Sequence, residues 1–287
     1  MADTVIQIRS PVGADSLEKE ACLDQWLRRV GSVLVGYSGG VDSAYLAAVA
    51  LRSLGPDRVL AVIGRSPSYP MEQWATARAV AAQLSLPLLE LDTGELADPR
   101  YAANPSNRCY FCKSTLWQRL VPVARARGLA VVIDGTNADD LGDYRPGTRA
   151  AQEHGVESPL AVAGMSKADI RERSRALGLP TWAQPSSPCL SSRIPYGSPV
   201  TVERLRRIEA AECALRDLGV AGDLRVRDHG DLARIELRPQ AIGYWSAADR
   251  RAELAAAVRG AGYEHVALDL AGFRSGSLNV LAGVHGE

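Results

Sequence analysis

Two groups of residues in this chain have types and spacings that can do chemistry. The first is Tyr37-Ser38-Gly39-Gly40-Val41-Asp42-Ser43, set between an apolar run and a helical pattern. Gly39 and Gly40 let the backbone approach a ligand closely and turn successive amide hydrogens one way. A helix beginning near Asp42 adds the positive end of its dipole, and Ser38 and Ser43 add hydroxyl donors. Together they form an anion cradle sized for phosphate. It is not a Walker loop, whose lysine and G-x-x-x-x-G-K-[ST] spacing are missing, nor the dinucleotide G-x-G-x-x-G.

The second group is sulfur. Cys109-Tyr110-Phe111-Cys112 sits at the start of a helical segment, and Cys189 lies in Pro188-Cys189-Leu190-Ser191-Ser192-Arg193-Ile194-Pro195-Tyr196-Gly197. Two thiols three residues apart can face one metal. A helix N-terminus with Arg108, Lys113 or Arg193 nearby is expected to depress their pKa values. Three cysteines without a fourth suit an iron-sulfur cubane with one open iron better than structural zinc, which wants four closed ligands; a His fourth ligand stays open. Cys22 and Cys213 fall within helices and read as small packing residues with no role.

The elements that must position these groups follow from periodicity. Ser16 to Val30 reads as an amphipathic helix with Ser16 as its cap. The strand Ser32 to Tyr37 leads through the glycine turn into a helix, Asp42 to Leu54. The beat repeats: strand Arg58 to Ile63, helix Met71 to Leu84, strand Leu88 to Leu91, helix Tyr110 to Arg127, strand Val131 to Asp134. Short apolar strands alternating with longer helices predict an α/β fold with a mostly parallel sheet covered on both faces. Ligands then bind at the carboxyl ends of the strands. Five prolines between Pro180 and Pro199 break this rhythm. Beyond them a helix (Thr201 to Leu218), strands Leu224 to Asp228 and Ala233 to Leu237, a helix (Ser246 to Val258) and a strand (His265 to Leu268) predict a small α+β unit. The domains are therefore expected at 1–180 and 181–287. Trp74, Trp117, Trp182 and Trp245 are expected to pack.

Composition excludes several classes. The chain has 287 residues, with 33 Lys+Arg against 33 Asp+Glu, so it lacks the basic excess of a general polyanion binder. A hydrophobic content of 46 % excludes disorder as a whole-chain description. No apolar run approaches a membrane span and residues 1–15 do not read as a signal peptide, which predicts a cytoplasmic protein with no membrane partner.

The string Ser-Gly-Gly-Val-Asp-Ser after a strand resembles the PP-loop of the ATP pyrophosphatase superfamily. The resemblance implies ATP cleavage between the α and β phosphates, with Asp42 helping to hold magnesium. It also implies adenine packing near Ser66 and a second nucleotide contact at Gly135 and Thr136, with Asp140 as a second carboxylate for metal. The full pattern is more specific. Arg108-Cys109-Tyr110-Phe111-Cys112-Lys113, the Cys189 motif, Arg65-Ser66-Pro67-Ser68-Tyr69-Pro70 and Gly272-Phe273-Arg274-Ser275-Gly276-Ser277-Leu278-Asn279 resemble the LarE family over almost the whole chain. That family comprises ATP-dependent sulfur transferases of nickel-pincer-nucleotide biosynthesis.

The resemblance implies that ATP adenylylates a carboxylate of a pyridinium dicarboxylate mononucleotide, releasing pyrophosphate, and that the activated acyl group then receives sulfur. Cys189 would either sacrifice its own sulfur, leaving dehydroalanine, or join Cys109 and Cys112 around a 4Fe-4S cluster that delivers sulfide. All three cysteines being present favours the cluster. The substrate phosphate would be held by Ser192, Arg193, Arg225 and Arg227, the last two sharing one strand face. Glu212 matches a family position associated with metal. Family likeness further implies a trimer-based homo-oligomer acting on a small molecule, without nucleic acid. The rivals are another PP-loop enzyme, either an amide-forming synthetase or a tRNA thiolase, and a non-catalytic nucleotide- or metal-binding module.

Overall fold

The computed structural model describes residues 13–142, 146–185 and 187–274. Helix α1 (Ser16–Val30) is capped by Asp15 rather than Ser16, in a capping box with Glu18, and buries Leu23, Trp26 and Leu27. Strand β1 (Val33–Gly36) leads into α2 (Val41–Leu54), whose Ala44, Tyr45, Leu46, Ala47, Val49 and Ala50 are all buried. Then come β2 (Val59–Arg65), α3 (Met71–Gln83), β3 (Leu88–Asp92), the short α4 (Pro99–Ala102), α5 (Arg108–Ala126) and β4 (Val131–Ile133).

The four strands form one parallel sheet in the order β3-β2-β1-β4, with Val33 aligned between Val59 and Val131. Strand order therefore reverses at β1, between β2 and β4, and the crevice at the carboxyl end of such a strand is where ligands bind. Gly36 ends β1 because Trp117 of α5 lies over it: a Cβ there would stand 2.8 Å from the indole.

Three helices were not anticipated from the pattern: α6 (Pro146–Glu153), α7 (Pro159–Val162) and α8 (Lys167–Ala176). In α8 the buried residues are Ile170 and Ser174, so it carries almost no apolar periodicity. It is set instead by a capping box between Ser166 and Asp169.

The second sheet is fed by α9 (Val202–Asp217). Strands β5 (Leu224–His229) and β6 (Leu232–Leu237) form an antiparallel hairpin. An unanticipated α10 (Pro239–Ser246) precedes the helix expected at Ser246 to Val258, which is α11 (Ala248–Gly260), the two being parted at Ala247. Strand β7 (His265–Leu268) then pairs parallel with β6.

Apolar side chains gather on the two faces of the first sheet and, separately, under the second. A smaller core of Tyr101, Leu190, Ile194, Val200, Leu205 and Ile208 joins the two units, with Phe111 and Cys112 against it. Trp117 and Trp245 are buried as expected, and Trp74 is half-buried with its indole N–H on Glu90 (3.0 Å). Trp182 is not packed: it is 40 % exposed, and the Arg175 guanidinium stacks over it. No helix among the described residues is long and apolar enough to cross a membrane.

Asp228 ties α9 to the second sheet. It is fully buried and accepts from Arg204 (2.9 Å), Arg207 (2.6 Å) and the Tyr263 hydroxyl (3.0 Å). Burial alone would raise this carboxyl, but the hydrogen bonds from Arg207 and Arg204 outweigh it and hold it low. Glu20, against Arg173, Tyr45 and Arg52, is lowered in the same contest. Such groups contribute stability that is present above the unfolded carboxyl value near pH ~4 and lost as pH falls through the folded value. Urea unfolding is therefore expected to show a falling free energy below about pH 4. Asp228→Asn should cost about 3 kcal/mol at pH 7 and flatten part of that acid limb.

Candidate active site

The phosphate loop is built where β1 ends. Gly39 has φ +65°, and a Cβ on it would lie 2.3 Å from the Ala77 Cβ, so α3 presses directly on the turn. Inside the loop the Ser38 N–H donates to Ser43 Oγ (3.2 Å), the two hydroxyls lie 3.1 Å apart, and Ser43 Oγ donates to the Gly40 carbonyl (3.2 Å). From outside, the Tyr69 hydroxyl (2.7 Å) and the Gln73 amide (3.0 Å) donate to the Ser38 carbonyl. Gly40 caps α2 without any side-chain bond, which leaves the amides at its N-terminus to a ligand.

The end of β4 closes against this loop. A Cβ on Gly135 would meet the Ser43 backbone nitrogen at 3.0 Å and the Asp42 Cβ at 3.3 Å. The Thr136 N–H (3.1 Å) and hydroxyl (3.0 Å) donate to Asp134, which orients the turn. Asp140 accepts from the Asn137 N–H (3.1 Å).

Sequence reasoning missed Lys167. Its ammonium pairs with Asp42 Oδ2, while Asp42 Oδ1 is buried with no hydrogen-bond partner. A lysine in the first turn of α8 opposes the helix dipole, but with α8 itself not legible in the pattern no sequence signal marked it. The donor set fits ATP with magnesium: a glycine turn with no room for a side chain at Gly39, a free carboxylate oxygen, and an ammonium beside it.

Ser66 and Ser68 follow β2. Their hydroxyls lie 2.6 Å apart and both donate to Glu95. The Ser68 carbonyl accepts from the Leu190 N–H (2.8 Å), so this loop touches the residue next to Cys189. A second bridge runs through Gln73, whose Oε1 accepts from the Gln184 amide (2.7 Å).

The two cysteine motifs are held to each other by polar side chains. Asn104, with φ +56°, donates to the carbonyls of Pro195 (2.8 Å) and Ser198 (2.9 Å). The buried Arg108 donates to Asn104 Oδ1 and to the Ser191 carbonyl (3.0 Å). The Tyr101 hydroxyl lies 2.6 Å from Ser191 Oγ. Cys109 is exposed, and Cys112 and Cys189 are half-buried.

The expected depression of the paired thiols is reversed. Crowding by the surrounding protein and then the charge of Cys189 raise Cys109, even with its surface open to solvent, and outweigh Arg108 and Lys113. Cys112 is raised by burial and next by Cys189. The three thiols are thus electrostatic neighbours. Among the described residues no three His, Cys, Asp or Glu side chains are grouped as one metal ion requires.

Arg193 is engaged by protein groups. It makes a buried two-pronged pair with Glu212 (2.9 Å each) and donates to the carbonyls of Pro188 (2.6 Å) and Cys189 (3.0 Å). Both Glu212 oxygens are engaged, one also by the Val226 N–H (3.0 Å), and a metal there would have to displace Arg193. Arg225 and Arg227 are buried rather than at a solvent-facing strand edge. Arg227 donates to the Ser192 carbonyl (2.7 Å) and pairs with Glu236 (2.7 Å). Burial and then the Arg193 charge pull Arg225 down to about 10, which leaves it cationic at neutral pH. Ser192 Oγ accepts from Arg193 (3.1 Å).

A pocket of about 260 Å³ opens between the units, lined by Gln73, Gln184, Leu190, Arg193, Glu212 and Arg225. Cys213, exposed on α9, stands on its rim, whereas Cys22 packs against the core. A larger opening of about 640 Å³ lies on the far side of Thr136, between α6 and α7, and holds no cysteine. Of the Gly272–Asn279 motif, residues 275–279 lie outside the described residues.

Gly39→Ala is expected to weaken ATP binding at least ~100-fold by calorimetry, because the added carbon must displace Ala77. Lys167→Ala should weaken binding about tenfold. An unchanged affinity in either variant would place the nucleotide elsewhere.

Comparison with known proteins agrees with this geometry. The family described as NAD synthase matches residues 19–108, which contain the phosphate loop. An uncharacterized protein of Synechocystis is 47% identical over 90% of this chain and 95% of its own length. The pyridinium-3,5-bisthiocarboxylic acid mononucleotide synthase of Lactiplantibacillus plantarum is 36% identical over 91% of this chain and 94% of its own. An NH(3)-dependent NAD(+) synthetase of Pyrobaculum aerophilum is 29% identical over 59% of this chain and 66% of its own. With a parallel α/β sheet, a PP-loop at its switch point and a similarity that runs through both cysteine motifs, the chain belongs to the LarE family, that of the Lactiplantibacillus synthase.

Proposed function

We propose that this chain is an ATP-dependent sulfur transferase acting on pyridinium-3,5-biscarboxylic acid mononucleotide. The relative named for the bisthiocarboxylic product supports the substrate class, and the PP-loop supports the use of ATP. The observation that carries the reading is the pair of hydrogen-bonded bridges, Ser68 to Leu190 and Gln73 to Gln184, that tie the phosphate loop to the segment bearing Cys189. We place the division between the units near residue 180.

A carboxylate oxygen is a poor leaving group and AMP a good one. The substrate carboxylate attacks the α phosphorus of ATP and pyrophosphate departs, leaving an acyl adenylate. Ser38 to Ser43 bind the phosphates through backbone amides and hydroxyls, and Lys167 supplies an ammonium to the charge that develops there. Magnesium, held by Asp42, would screen the phosphate oxygens. Arg225, with Ser192, binds the phosphate of the mononucleotide, while Arg193 and Arg227 hold the Cys189 segment by its carbonyls. Cys189 then attacks the activated acyl carbon as thiolate and AMP leaves with the bonding pair, giving a thioester. Loss of the Cys189 Cα proton to a base and cleavage of its Cβ–S bond release the thiocarboxylate and leave dehydroalanine. No step is routed through a cluster. Family likeness adds a trimer-based homo-oligomer in the cytoplasm.

Incubation with ATP, magnesium and the dicarboxylate mononucleotide tests this directly. Pyrophosphate release is expected, together with loss of the mass of one H₂S per chain. Cys189→Ala should keep pyrophosphate release within about threefold and yield no thiocarboxylate. Absence of pyrophosphate sinks the adenylylation, and unchanged mass over several turnovers with iron bound shifts the sulfur source to a cluster.

A further inference from the structure

Glu95 has no role in the reaction above, and its setting is costly for a carboxylate. It is 1 % exposed. One oxygen accepts from Ser66 Oγ and Ser68 Oγ (3.0 Å), the other from Thr93 Oγ1. Among the described residues these partners are hydroxyls, with no cation at ion-pair distance. A neutral amide of the same shape would avoid the cost of burying that charge.

The carboxylate organises its neighbours. Hydroxyl protons of Ser66, Ser68 and Thr93 turn inward to it, and the Ser68 N–H donates to Ser66 Oγ (2.9 Å), which closes the loop on itself. The Thr93 N–H donates to the Arg65 carbonyl (3.0 Å) and so fastens the end of β2. The outer side of the same loop touches both halves of the proposed reaction. Tyr69 holds the Ser38 carbonyl of the phosphate loop, and the Ser68 carbonyl holds the Leu190 N–H.

We propose that Glu95 is a positioning residue for sulfur transfer. By pinning Ser66, Ser68 and Thr93 it fixes the Ser68 carbonyl on which Leu190 hangs, and so sets where Cys189 stands relative to the phosphate loop. Glu95 acts through these groups and touches no substrate. The activity readout below rests on the proposed sulfur transfer, and the labelling readout rests on geometry alone.

The full-length chain is compared with Glu95→Ala, Glu95→Gln and Ser68→Ala. Without nucleotide, the rate of iodoacetamide labelling at Cys189 is followed by peptide mass. With ATP, magnesium and the dicarboxylate mononucleotide, sulfur lost from Cys189 is measured per pyrophosphate released. Glu95→Ala is expected to raise Cys189 labelling about fivefold and lower the sulfur-to-pyrophosphate ratio about tenfold, with pyrophosphate release within about threefold of wild type. In Glu95→Gln an amide must donate where the carboxylate accepted, so the ratio falls to an intermediate value. That variant should nonetheless melt no lower than wild type, which a purely structural role does not allow. Should Glu95→Ala not fold, Glu95→Gln and Ser68→Ala carry the same test. Unchanged Cys189 labelling, or a ratio equal to that of wild type, overturns the proposal. A wild-type chain that releases no pyrophosphate overturns the sulfur-transfer reading and leaves the labelling to decide this one.

Discussion

Among its described residues the segment from Gln184 to Pro199 carries Cys189 without a strand or an α-helix of its own, yet it runs through a partly buried junction. Backbone carbonyls in such a place have no ladder to join, and leaving them unpaired costs more than a net hydrogen bond returns. The structure depends on how that demand is met. Arg193, Arg227, Arg108 and Asn104 donate to the carbonyls of Pro188, Cys189, Ser192, Ser191, Pro195 and Ser198. Three of the four are arginines, whose forked donors can serve two acceptors at once. A shared apolar core beneath, with Leu190 and Ile194 at its centre, holds the segment down while the arginines hold it in shape.

This arrangement explains how a chain of zero net charge can concentrate cations where an anionic substrate is proposed to bind. Two buried arginines in the second unit have counter-charges: Glu212 for Arg193, Glu236 for Arg227. The charges cancel in sum but not in space. Arg225 is bonded to a backbone carbonyl and faces Phe273, and burial and then the repulsion of Arg193 pull its pKa down.

The sequence carried the first sheet well, because its strands are short apolar runs and its helices alanine-rich with clear ends. The glycine turn was legible for the same reason: Gly39 and Gly135 have no room for a side chain. Helix α8 was not legible, since packing and a cap hold it rather than an apolar stripe. Lys167 and Glu95 were missed together, as each gains meaning from a partner far along the chain, Asp42 in one case and Ser66 in the other. The thiol pKa values ran opposite to expectation because spacing in sequence reports nearby cations but not desolvation, and desolvation was the larger effect. The pairing of Arg193 with Glu212, nineteen residues on, was not legible either, since spacing gives no sign of it.

Asn104 meets two demands that are seldom met by one residue. Its backbone lies in the left-handed region, which glycine and asparagine enter most readily. Its side chain must at the same time donate to a run of carbonyls and accept from Arg108. Glycine satisfies the first demand and lacks the amide; glutamine keeps the amide but resists the backbone. Position 104 is in this sense a lock cut for a single key. Any attempt to move the cysteine segment onto another scaffold would have to carry with it one residue from eighty-five positions upstream.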